Sequence, residues 1–307
     1  MTHSQYMRKV TLIVGNDEEA IDLSELHIVF SVRHADKENP QSAVVRVYNL
    51  STKTLQAIQI KEFTRLLLQA GYQDGAFGAI FDGDIVQARI GRESAVDTYA
   101  EFIAAEGYAA HSEIINQTLA AGATMADTAN AAASAMGASI EANSFDADFK
   151  LPRGQVLYGM ARDALREATA RAGQTYFYER GKVITLPLQG YRPGTVSVVS
   201  AETGMIGWPV QTQAGIEVKT LLNPAFAVGG RIQLNNESIQ LAQFGTNIQS
   251  GPQNLNYPGL DPSGVYRILT LDYSGDTRGN TWYTSIIGLA LDQSAGGISS
   301  LIQAGIG

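Results

Sequence analysis

The stretch GDTRGNTWYTSI, residues 275–286, sets an acid and a base between two glycines. Such a loop can hold a catalytic carboxylate or a metal ligand. Its surroundings favour a plainer use. Gly275 and Gly279 permit the positive φ angles that tight turns need, and alternating strand-like runs lie on both sides. Asp276, Thr277 and Arg278 are therefore read as the hinge of a β-hairpin. The four histidines, His3, His27, His34 and His111, form no HxH or HxxxH pair and read as surface or strand-end residues. Asp82 and Asp84 in FDGDI lack the ligand spacing of a calcium loop and read as a turn; Asp146 and Asp148 in SFDADF read as a solvated loop. No nucleophile elbow, phosphate-binding loop or dinucleotide fingerprint occurs. No spacing singles out the paired carboxylates of a glycosidase. Tyr176, Phe177 and Tyr178 are contiguous in a strand and read as facing core and solvent alternately, not as a stacking platform for bases. The sequence thus nominates no catalytic, cofactor-binding or metal-binding residue.

Composition narrows the classes further. The chain has 307 residues, room for about two to three domains of ordinary size. Hydrophobic residues make up 45%, enough for a core in each, while charged residues are only 17%, below the roughly 25% of ordinary soluble domains. The net charge of −8 is unsuited to gripping a phosphate backbone, but it suits a conduit that DNA must pass without sticking. With no cysteine there is no disulfide or thiolate chemistry. The N-terminus has no long apolar core of a secretion signal, and no run of about 18 apolar residues occurs, so no membrane insertion is expected. The Ala-rich residues 118–142 are interrupted by Asp127 and Asn130.

The elements that would position these residues fall into three regions. Residues 1–108 read as strands, LHIVFSVRH, AVVRVYNL and RLLLQAGY among them, with a short helix TKTLQAIQ capped by Ser51 and two long strands around GRES. A barrel or compact sandwich is expected there. Residues 109–195 change to a small α/β module. Thr124 with Asp127 makes a capping-box pattern for one helix, Gly137 stops it, and apolar spacing predicts a second helix over residues 155–172. TYFYERGKVITLP predicts a hairpin turning near Arg180-Gly181. Residues 196–291 return to strands, TVSVVSAETG, GIEVKTLL, GGRIQL, GVYRILTLDY and TWYTSIIGLAL. Trp208-Pro209 and residues 221–224 read as apolar anchors where strands enter and leave. Residues 242–264 form a long turn-rich loop, and residues 292–307 a flexible C-terminal tail; both are expected contact elements.

Residues 85–103 and 268–287 read alike: an apolar strand, charged turn residues, then Asp97-Thr98-Tyr99 against Asn280-Thr281-Trp282, then an alternating strand. One barrel type used twice, with the α/β module inserted between, is the organisation this predicts.

The order of these stretches resembles the baseplate hub proteins of tailed bacteriophages, contractile-tailed ones especially. IVFSVRHADKENPQSAVVRVYNLS, LLLQAGY with IFDGDIVQA, IGWPVQTQAGIEVKTLLNPAFAVGGRIQL and the closing hairpin GVYRILTLDYSGDTRGNTWYTSIIG carry the likeness. The resemblance implies a mainly β chain with an inserted α/β module and two tail-tube-like β-barrels, at residues 1–108 and 196–291. It implies a homotrimer whose six barrels match a sixfold tail tube on one side and a threefold central spike on the other. A channel for DNA in transit would run through the ring. Tail-tube protein, central spike, baseplate wedge proteins and a tape measure protein are the implied partners. The virion tail baseplate, assembled in the host cytoplasm, is the implied place. No catalytic residue carries over. The rival readings are a tail-associated cell-wall hydrolase and another tube-like component such as a distal tail protein.

Overall fold

The computed structural model describes residues 5, 7–16, 18–59, 63–142, 145, 150–241 and 259–291. The chain opens with β1 (Arg8–Gly15), β2 (Ala20–Asp22), β3 (Ile28–Ala35) and β4 (Ser42–Tyr48), then helix α1 (Thr52–Gln59), then β5 (Arg65–Tyr72), β6 (Phe77–Arg92) and β7 (Thr98–Ala105). In β3 the side chains of Ile28, Phe30, Val32 and His34 are buried while Ser31 and Arg33 are exposed, the period of two that a one-faced strand needs. Ser51 caps α1, its Oγ accepting the Thr54 N–H at 3.2 Å.

The middle of the chain holds α2 (Tyr108–His111), β8 (Ile114–Leu119), α3 (Met125–Ala135), β9 (Ser139–Ala142), β10 (Gln155–Met160), α4 (Ala161–Arg171), β11 (Gln174–Glu179) and β12 (Lys182–Pro187). The capping box is complete: the Asp127 N–H donates to Thr124 Oγ1 at 3.1 Å and the Thr124 N–H to Asp127 Oδ2 at 2.8 Å. The single helix expected over residues 155–172 is instead a strand and a helix. Residues 155–160 pair with β8, and α4 starts at Ala161. Gly159 sits at φ 127°, outside helical space, and Leu157 is buried between exposed Val156 and Tyr158. A short apolar run satisfied both periods, and the pairing with β8 decided between them.

The last region holds β13 (Val196–Val198), β14 (Met205–Thr212), β15 (Gly215–Leu221), β16 (Arg231–Gln233), β17 (Gln240–Leu241), β18 (Val265–Asp276) and β19 (Trp282–Leu289). The strand expected over TVSVVSAETG is cut short, because Ser200 and Thr203 close a 3-10 turn over Ala201–Thr203. Of the contact elements expected from sequence, residues 242–258 of the long loop and the whole tail 292–307 lie outside the described residues.

The chain is mainly β. Among the described residues fourteen strands share one sheet, in the order β17-β14-β15-β19-β18-β3-β4-β7-β6-β5-β1-β2, with β16 on β18 and β13 on β16. Both β regions join in this path where β3 pairs antiparallel with β18. One large core spans them, from Leu12 and Phe81 to Tyr266 and Trp282. A second, smaller core of Ala129, Ala132, Leu157, Leu165 and Tyr176 lies between α3, α4 and the short sheets. The β11–β12 hairpin serves both: Phe177, Ile184 and Leu186 face the large core, Tyr176 and Val183 the small one. Tyr176 and Phe177 thus alternate between two cores, where core and solvent were expected.

Candidate assembly interface

Two hairpins dominate the sheet, β6–β7 and β18–β19. In the first, Ile85 faces Ala104 and Gln87 faces Ile103, so Val86 is a bulge. In the second, Ile268 faces Gly288 and Thr270 faces Ile287, so Leu269 is the bulge. From there both ladders run in step to Arg92 facing Thr98 and Gly275 facing Trp282. The connection between those pairs is residues 93–97 in one and 276–281 in the other, one residue longer. That extra residue moves the match proposed from sequence: Tyr99 stands at the place of Tyr283, not of Trp282.

The neighbouring strands repeat as well. Arg46 of β4 faces Glu101 of β7, and Lys219 of β15 faces Ser285 of β19. Each cation lies over the equivalent tyrosine ring, Arg46 4.3 Å from the Tyr99 centroid and Lys219 4.1 Å from the Tyr283 centroid. The repeat therefore reaches side-chain contacts. Sequence comparison missed this pair because arginine and lysine, in strands with little other likeness, hide the match.

Asp276 does the work of a turn. Its Oδ1 accepts the N–H groups of Arg278 at 2.9 Å and Gly279 at 2.8 Å, and its own N–H donates to the Thr281 carbonyl at 2.8 Å. The same oxygen lies 2.8 Å from His27 Nε2, whose ring stacks on Tyr48. Burial pushes the Asp276 carboxyl up, but the Arg278 N–H, the His27 ring and the Gly279 N–H together hold it below its ordinary value. Asp97, in the turn of the first hairpin, is likewise lowered by hydrogen bonds from Ser94 and Asn49. Both turns border one cleft of about 450 Å³, floored by His27 and Tyr48. Carboxylates held ionised by turn donors are poor proton donors. Among the described residues no three His, Cys, Asp or Glu side chains gather to hold a metal.

The other candidates scatter. Asp82 and Asp84 are not a turn: they lie within β6, facing Leu67 and Arg65 of β5, and Gly83 between them is required because a Cβ there would meet the Ala105 carbonyl at 2.8 Å. Asp82 accepts from Arg65 Nε at 3.0 Å. His27 is at a strand end as expected, whereas His34 is buried inside β3, with Nε2 2.8 Å from the Ile80 carbonyl. His111 ends α2, and its carbonyl accepts from Arg162 at 2.6 Å. His3, Asp146 and Asp148 lie outside the described residues.

Two buried polar groups escaped the sequence reading. Glu106 is fully enclosed just after β7, its two oxygens accepting the N–H groups of Asp82 at 3.2 Å and Arg180 at 3.1 Å. Burial raises its carboxyl to about 7 against the pull of those two N–H groups. Arg267 of β18 forms a buried ion pair with Asp36 and donates to the carbonyls of Pro187 at 2.9 Å and Gly190 at 2.9 Å. It clamps the β3–β4 connection and the turn leaving β12 onto β18. Nothing in the local sequence of either residue marks it.

The hairpins differ at their outer edges. The segment of β18 from Thr270 to Asp276 is covered by β3. The corresponding end of β6 has β7 on one side and, among the described residues, no strand on the other, because β5 pairs only with Phe77–Asp84. Val86, Gln87, Ala88, Arg89 and Ile90 are consecutively exposed, on both faces of the strand. At the far end of the sheet Ile206 and Trp208 are exposed on β14, Trp208 in a bulge at Gly207–Pro209 and 61% accessible. Trp208, read from sequence as an anchor, is thus an outward one.

Comparisons with known proteins agree with this geometry. The model of the family described as Baseplate hub gp41 matches residues 7–239. No curated protein matches the sequence. Among solved structures, the chain resembles the 43 kDa tail protein of prophage MuSo2 from Shewanella oneidensis, with a TM-score of 0.59 at 8% identity over 93% of this chain and 97% of that one. It resembles a tail protein from Neisseria meningitidis, with a TM-score of 0.56 at 9% identity over 94% of this chain and 98% of that one. It also resembles an E. coli component of the type VI secretion system, itself described as similar to the T4 bacteriophage tail proteins gp27 and gp5, with a TM-score of 0.55 at 8% identity over 94% of this chain and 78% of that one. These likenesses are of fold. The family match covers most of the chain, and the chain belongs to the baseplate hub gp41 family of bacteriophage tail proteins.

Proposed function

We propose that this hub protein works as a homotrimeric ring in the phage baseplate. In this reading residues 1–108 and 196–291 are two tail-tube-like wall units and residues 109–195 an inserted α/β domain. Three chains supply six units, so one face meets a sixfold tail tube and the other a threefold central spike. DNA passes through the middle, and loss of the spike opens the channel. Wedge proteins, the tape measure protein and the spike are the partners, and assembly takes place in the host cytoplasm without membrane insertion by this chain. The work is structural, without catalysis.

The observation that carries the proposal is the repeated hairpin. One chain holds two copies with the same register, the same bulge position and a cation, Arg46 or Lys219, over the equivalent tyrosine. A symmetry adapter requires that duplication; a hydrolase does not. The net charge of −8 is compatible with a conduit that does not retain DNA. Mass measurement of the purified chain tests the proposal. A trimer is expected, whereas a hexamer would favour a tube or distal tail protein. Clearing of peptidoglycan in a zymogram, lost in Asp276→Ala or Asp84→Ala, would favour the hydrolase.

A further inference from the structure

The internal repeat extends beyond the hairpins and has one member missing. Strand β15 stands to β19 as β4 stands to β7, since Lys219 takes the place of Arg46 in the ladder. Strand β14 lies against β15 as β3 lies against β4. The other edge of β3 is filled within the chain by β18, with Tyr273 facing Val32 and Asp272 facing Arg33. By the same relation the other edge of β14 should receive the end of a β6, and the β6 of the same chain is far along the sheet order. We infer that residues 89–92 of one copy pair antiparallel with β14 of a second copy, Ile90 opposite Gln211 and Arg89 opposite Thr212, in the register in which Tyr273 lies opposite Val32 inside the chain.

Three observations support this, beyond the symmetry. Residues 86–92, VQARIGR, contain no proline or lysine, their bulge lies at the near end at Val86, and Arg89 is drawn onto Glu101, so the edge beyond the bulge is a template for another strand. Ile90 is an apolar side chain left bare there, and Trp208 is left bare in the β14 bulge that the same register sets alongside Arg92. The contact is head-to-tail, so each copy donates one β6 edge and receives another, and the set closes only as a ring. Strand β17 touches the same edge of β14 through just two facing pairs, Val210 with Gln240 and Gln211 with Leu241, and both its residues are exposed. The incoming strand replaces those two pairs with a longer ladder.

The inference rests on the threefold reading, and cysteine cross-linking separates the two. The natural chain has no cysteine, so introduced thiols report cleanly. Under mild oxidation the double variant Ile90→Cys/Gln211→Cys should give covalent trimers on a non-reducing gel. An equal mixture of Ile90→Cys and Gln211→Cys chains should give dimers, and each single variant alone only monomers. A protein that is trimeric by mass but does not cross-link in the mixture overturns the pairing and leaves the ring intact. So does Ile90→Cys linking to itself, or to Leu241→Cys in place of Gln211→Cys. A chain that stays monomeric by mass overturns ring and pairing together. As a control independent of cysteine, Ile90→Asp should weaken self-association roughly tenfold or more, as loss of a central apolar contact does, with the melting temperature of the dilute chain unchanged. Unchanged association in that variant also counts against the pairing.

Discussion

Ile90 and Tyr273 occupy the same place in two hairpins of the same register, yet Ile90 is 36% exposed and Tyr273 only 2%. The backbone conformation at both places is the same extended ladder. What differs is the strand across the edge: β3 lies beside Tyr273, and no described strand lies beside Ile90. Equal local structure therefore does not mean equal burial. The energetic weight of a residue in this protein is set by its neighbour in the sheet rather than by its own hairpin.

That contrast can be broken by truncation. Tyr273→Ala should cost about 3–5 kcal/mol, since it empties an aromatic site in the core and frees the Phe226 carbonyl that the tyrosine hydroxyl donates to. Ile90→Ala should cost below about 1 kcal/mol in the dilute chain. Urea denaturation of both variants checks the difference. Equal losses would mean that the first hairpin is already covered. A cost for Ile90→Ala that grows with protein concentration would sharpen the contrast, because self-association would then supply the missing cover.

A second contrast lies just past the hairpins, where Glu106 follows β7 and Ala290 follows β19 at the corresponding position. Burial raises the Glu106 carboxyl to about 7 from 4.5, so between those values the folded chain binds more protons than the unfolded chain. The stability contributed by the protonated acid is fully present below pH 4.5 and falls as the pH rises to about 7, by about 3 kcal/mol in all. Glu106→Gln should flatten that slope, as measured by urea denaturation across pH 4.5 to 8. A slope that persists in the variant would assign it to another group.

The smallest contrast concerns the two cations. Arg46 lies over Tyr99 and also bonds the buried Glu101 at 2.8 Å, a carboxylate that Arg89 shares. Lys219 lies over Tyr283 opposite an uncharged serine. Arg46→Ala should cost about 2 kcal/mol because it leaves a buried carboxylate with one partner fewer. Lys219→Ala should cost about 0.5 kcal/mol, the value of an exposed cation–π contact. Denaturation midpoints of the two variants measure the ratio; equal losses would show that the Glu101 pairing adds nothing.

Much of this was legible beforehand. The helix at Thr52–Gln59 and the strand at Arg65–Tyr72 carry local signals, a serine cap and the apolar run Leu66-Leu67-Leu68, and both stand where the sequence placed them. The repeat was visible as well, shifted by the one residue that separates the two turn lengths. The misreadings share a cause. Residues 155–160 suited either period, and Asp82-Gly83-Asp84 suited either a turn or a strand; in both places the outcome depended on a partner strand distant in sequence.

By itself the sequence determined which segments alternate, where glycine and aspartate can turn the chain, and that the same hairpin is written twice, because those properties depend on residues a few positions apart. Only the tertiary structure decided that β3 covers β18 while the end of β6 stays bare, that Glu106 is enclosed, and that Arg267 meets Asp36 from the far end of the chain. Such facts rest on burial and on pairing across long separations. No local pattern encodes them, since the free energy of a polar or apolar group is set by what surrounds it after folding.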